Sequence, residues 1–163
     1  MLFTIAGVQS FHGWTHDRTR QLIQHAGTLP PALFVAPLEG FARATVRDQL
    51  LHVLTCEDNW IRRIQHVPLS EWRPEEFTAA ASLGAARPRV MAATLRYLDG
   101  LSETQFNTPI ERLPEEWIGP ARSPAFILHH ILTHAFHHKG QIVAMFRILG
   151  YPAPDTDLQR IEA

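Results

Sequence analysis

A chain of 163 residues, 45% hydrophobic and 19% charged, has the makeup of one globular domain, expected to span 1–163, and is neither disordered nor fibrous. A net charge of -1 and a pI near 6.8 leave no basic stripe, which excludes nucleic acid as the expected partner. No apolar run approaches the roughly 20 residues of a membrane span.

The opening MLFTIAGVQSFHGW lacks a basic n-region and is interrupted by Gln9, Ser10 and His12, so a signal peptide is not expected. Cys56 is the single cysteine; no internal disulfide is possible, and a reducing, cytoplasmic location is expected. The compositional anomaly is histidine. There are ten, five of them between His129 and His138.

Four helices are expected. The first runs from about Ala6 to Ala26, with Val8, Phe11, Thr15, Leu22 and Ala26 at helical spacing, and Leu29-Pro30-Pro31 ends it. The second starts at Thr45, which forms a capping pair with Asp48, and reaches about Val67 before Pro68. Val46, Leu50, Val53, Glu57, Trp60 and Ile64 share one of its faces. SEWRPEEF reads as a loop. A third helix spans about Thr78 to Leu98, and Pro88 inside it predicts either a kink or a start at Pro88. Residues Ser102 to Ala121 carry three prolines and a glycine without periodicity and read as a long connection, with short strands expected at Asn107–Arg112 and around Trp117. The fourth helix begins with Ser123 as N-cap and Pro124 as first residue, and runs to Leu149 before Gly150. The expected fold is all-α: an antiparallel four-helix bundle with one long connection before the last helix.

At 100° per residue, Leu128, Ile131, Ala135, Ile142, Phe146 and Leu149 define the apolar face of the last helix. His138 lies within that face and His134 at its edge; His129 and His137 fall on the far side. Two imidazoles four residues apart are neighbours and can hold one divalent ion. A catalytic site usually takes three protein ligands, so the third must come from another helix, and His52 at the border of the second helix is the best candidate. His12 and His16 have the same i, i+4 spacing near the apolar edge of the first helix; spacing alone does not reject them. Otherwise they read as polar edge residues at a cavity mouth. Glu57, a carboxylate inside an apolar stripe, reads as a helper. It would hydrogen-bond a ligand histidine, act as a base with a raised pKa, or pair with an arginine of a neighbouring helix. Cys56, one turn after His52, is a fourth ligand, a redox thiol or a small buried hydrophobe. Trp14, Trp60 and Trp117 read as core and cavity wall.

The segment HILTHAFHHKGQIVAMFRILG resembles the HxxHH(R/K)GQ signature of the DinB/YfiT-like family of small bacterial metalloproteins, and TVRDQLLHVLTCEDNWI resembles its second-helix motif. The order matches along essentially the whole chain. Thr133 stands where many members have Asn, and Lys139 where many have Arg. The resemblance implies His52, His134 and His138 as the three ligands of one divalent ion, commonly Zn or Ni, and a homodimer formed through helix faces. Members include bacillithiol-dependent thiol S-transferases and mycothiol-dependent isomerases.

Three neutral imidazoles leave such an ion its full +2 charge, which acidifies a bound water and deprotonates a bound thiol. The expectation is therefore a metal-dependent enzyme acting on a small molecule. It would be a thiol S-transferase using a low-molecular-weight thiol cosubstrate, or a hydrolase. The alternative is a non-catalytic metal-binding or sensor module.

Overall fold

The structure, a computed structural model, describes residues 3–110 and 121–158. Four of the described helices begin where the sequence supplies a capping side chain, at Thr4, Thr45, Ser102 and Ser123. Thr4 opens α1 (Ile5–Ala26), its hydroxyl accepting from the Gly7 N–H at 3.1 Å. Pro30-Pro31 turns the chain into the short α2 (Pro31–Phe34). Thr45 caps α3 (Val46–Ile64) through Asp48 N–H at 3.0 Å, and Ser123 caps α6 (Pro124–Ile148). The capping expectations at Thr45 and Ser123 hold.

α3 stops three residues short of Val67 because His66 turns left-handed, at φ +56°. The N–H of Val67 reaches back to Arg62 O and that of His66 to Arg63 O, the paired bonds that close a helix end. Gly150, at φ +81°, closes α6 in the same way with a residue that enters this region freely.

α4 (Ala80–Asp99) runs through Pro88, so the alternative start at that residue is ruled out. The segment expected to be a long connection with short strands contains α5 (Glu103–Asn107), opened by a capping box between Ser102 and Gln105. Its signal, Ser-x-x-Gln, is present in the sequence. Residues 107–110 are not in a strand; the rest of that expected strand, and Trp117, lie outside the described residues. Among the described residues there is no strand.

α1 packs on α4 and α6, and α3 packs on the same two. The apolar core falls into two clusters. One holds Leu22 and Ile23 of α1, Leu50 and Leu54 of α3, Leu83 and Val90 of α4, and Met145 and Phe146 of α6. The other holds Val8, Ile61, Leu98, Leu128 and Leu132, with Phe106 of α5. These memberships fix the helix directions. α1 and α6 end at the first cluster, whereas α3 and α4 begin there. The α1–α4 and α3–α6 pairs are therefore antiparallel, and the α3–α4 and α1–α6 pairs are parallel.

This corrects the expected all-antiparallel arrangement. The connection that crosses the length of the helices is 65–79, between α3 and α4, where Trp72 and Phe77 pack back against the first cluster. The segment before the last helix starts and finishes at one end.

Candidate metal centre

Between the two apolar clusters all four long helices contribute polar side chains at one level: His12, Thr15 and His16 from α1, Glu57 from α3, Thr94 from α4, and His134 and His138 from α6. Such a layer is stable only where its groups satisfy one another. Among the described residues, two groups within it, or beside it, hold enough donor atoms for a metal ion: His52, His134 and His138, and His12, His16 and Glu57.

In the first group His134 Nε2 lies 3.3 Å from His52 Nε2 and 3.1 Å from His138 Nε2. Ligand nitrogens on a tetrahedral ion with 2.0–2.1 Å Zn–N bonds lie about 3.3 Å apart. His138 Nδ1 donates to Gln49 Oε1 at 2.6 Å, which leaves its Nε2 as a lone pair turned toward the other two rings. Gln49 is itself fixed, its amide donating to Gln141 Oε1 at 2.6 Å and to Arg43 O at 3.1 Å.

The electrostatics agree. Burial, the Arg43 cation and the neighbouring imidazole push His52 down to about 4. Burial and the neighbouring histidines do the same for His134 and His138, each lowered to about 4. All three are neutral at pH 7, as metal ligands must be. At pH 5.5 an ordinary imidazole would already lose about tenfold in affinity to protons, or roughly a thousandfold for three. Here the apparent zinc affinity is expected to change little from pH 7.5 to 5.5 and to collapse as the pH approaches 4. Competition against a chromophoric chelator at each pH reads this directly, and a thousandfold loss by pH 5.5 would contradict it.

In the second group the Glu57 carboxylate is buried and accepts from His12 Nε2 at 2.7 Å, His16 Nε2 at 2.9 Å and the Thr94 hydroxyl at 2.5 Å. Burial alone would raise this carboxyl, but the facing His16 and His12 hold it well below the usual carboxylate range. The outer nitrogens of this group differ from that of His138, which donates to Gln49. His12 Nδ1 is buried without a partner, and His16 Nδ1 faces the Arg87 guanidinium, a donor, at 3.5 Å. Metal-bound imidazoles donate their second N–H to an acceptor, and among the described residues neither His12 nor His16 has one. Both rings are placed to donate Nε2–H to Glu57.

His52, His134 and His138 are thus brought together as expected. Glu57 is not beside them. The hydrogen bond it was expected to make to a ligand histidine is made by Gln49, and its carboxyl is lowered rather than raised. No arginine pairs with it directly among the described residues. His12 and His16, left open as a rival ligand pair or else as polar edge residues, are core residues, and with Glu57 they form the second group. Cys56 belongs to neither group; burial and the Glu57 charge push its thiol up to about 11. Trp14 is 45% exposed and walls no core, whereas Trp60 is partly buried against the second cluster. Lys139 ties down the tail through Thr156 O at 3.0 Å.

Gln49 escaped the sequence reading. Its signal was a polar residue three positions before His52 on the buried side of the capped helix. Gln49→Leu is expected to lower metal affinity about 10- to 100-fold while leaving the three ligands in place. A calorimetric metal titration beside the wild type measures it.

The DinB family model matches residues 7–163. Among solved structures, the chain is similar to a DinB family member protein from Shewanella denitrificans, with a TM-score of 0.57, 14% sequence identity and 99% of each chain covered. At that identity the likeness concerns the fold. No curated protein matches the chain.

Proposed function

The chain belongs to the DinB family, and on that premise we propose that it is a metal-dependent enzyme whose His52, His134 and His138 hold one divalent ion, Zn or Ni. The observation that carries this reading is the convergence of three neutral imidazole nitrogens, one oriented from behind by Gln49. A divalent ion held there would supply the charge that acidifies a thiol or a water. The favoured reaction is transfer of a low-molecular-weight thiol, of the bacillithiol type, to a small-molecule electrophile; hydrolysis is the second.

A closed, non-catalytic site needs a fourth protein ligand. Among the described residues this group has three members, and Cys56 is not one of them. In this reading Glu57 is a positioning residue. Its carboxylate joins α1 and α4 to α3, five residues beyond His52. The protein would act as a single-domain cytoplasmic homodimer, its four long helices forming one bundle. No described helix is long and apolar enough to cross a membrane.

The test is turnover of untagged protein with a bacillithiol-type thiol and an alkylating electrophile, and separately with ester and amide substrates. Thiol transfer that disappears on chelation and returns with zinc or nickel is expected. Turnover indifferent to chelation would overturn the proposal.

A further inference from the structure

Two residues before the cap of α3, Arg43 borders a cavity of about 160 Å³ whose wall it shares with His52. Pockets for drug-sized ligands run roughly 300–1,000 Å³, so this one suits a small molecule. Trp72 supplies an apolar wall, and Asp48 and Thr55 line the rest. The other polar groups there are already engaged. Asp48 accepts from Arg47 Nε at 2.9 Å, and the Thr55 hydroxyl donates to His52 O at 3.2 Å.

The Arg43 guanidinium is exposed and makes no hydrogen bond or ion pair among the described residues. Only its backbone carbonyl is held, by the Gln49 amide that also orients His138. Its charge is felt at all three ligand imidazoles, where it helps keep them neutral. An unopposed cation beside a site for a dication is a repulsive pair that an anion relieves. A guanidinium also offers a planar fork matched to a carboxylate.

We infer that the cavity between Arg43 and His52 is a subsite for the carboxylate of a small thiol cosubstrate, the acid pairing with Arg43 while the thiol faces His52, His134 and His138. This rests on the thiol reading of the metal centre given above. The subsite selects among thiols by charge: an anionic thiol is held at two points and a neutral one at one.

The test uses two probes of equal size, 3-mercaptopropionate and 3-mercaptopropionamide. Zinc-loaded protein is titrated with each by calorimetry, and cobalt-loaded protein is followed for thiolate-to-metal absorption. The acid is expected to bind about tenfold tighter than the amide. Arg43→Ala should remove that preference, weakening binding of the acid much more than that of the amide, and Arg43→Lys should keep part of it. Equal affinities in the wild type, a preference that survives in Arg43→Ala, or no binding of either probe would overturn the subsite. A preference for the acid that depends on Arg43, but without thiolate absorption, would support the subsite and overturn the thiol reading instead. Absorption with both probes and no preference would do the reverse.

Discussion

His134→Ala is expected to abolish stoichiometric metal binding, from about one ion per chain to none. His134 is the central ligand: its Nε2 lies within 3.3 Å of both other Nε2 atoms, so its loss leaves two imidazoles from different helices and no shared vertex. His52→Ala and His138→Ala are expected to follow it. His138→Ala also strands the Gln49 carbonyl oxygen, which has lost its donor. His12→Ala tests the other group. It removes a donor to Glu57 and should leave metal content unchanged at temperatures where the variant stays folded. Elemental analysis of untagged protein, with circular dichroism to confirm folding, decides between the two groups. Metal retained in His134→Ala and lost in His12→Ala would reverse the assignment.

Glu57→Ala carries the largest expected loss of stability. It removes the common acceptor of two buried imidazole donors and the buried Thr94 hydroxyl, and opens a cavity between α1, α3 and α4. Breaking a buried charged network by removing one partner costs about 3–5 kcal/mol. Each kcal/mol lowers Tm by about 2–4 °C in a chain of this size, so the transition should fall by about 6–20 °C. Glu57→Gln keeps the shape and one acceptor, and should cost less. The pH dependence has a definite sign. A carboxyl depressed in the folded state stabilises fully above its unfolded value, about 4.3, and that contribution is lost as the pH falls further. The gap in Tm between wild type and Glu57→Gln should therefore narrow below about pH 4. A gap that widens there, or a Glu57→Ala variant as stable as wild type, would contradict the hydrogen-bonded carboxylate.

Some of this was local enough to be legible in the chain. The Thr45 and Ser123 caps, the stop at Gly150 and the i, i+4 pair His134/His138 depend on neighbours within one or two turns. The motif around the pair identified the family. The extent of the long helices followed from periodicity. The end of α3 was misplaced because it depends on one histidine entering a backbone region rare for side-chain-bearing residues.

Whatever lay between helices was decided by tertiary structure. Periodicity says which residues face inward and nothing about which helix they meet, so it could not tell that Glu57 faces His12, His16 and Thr94 rather than the ligand histidines. Nor could it orient the helices. That the chain crosses between α3 and α4, making two neighbouring pairs parallel, follows only from which residues share each apolar cluster. Spacing left the two histidine pairs equivalent. They differ in what stands behind the rings, Gln49 as an acceptor for His138 and the Arg87 guanidinium against His16. Those contacts span 89 and 71 residues of sequence, distances over which only packing carries information.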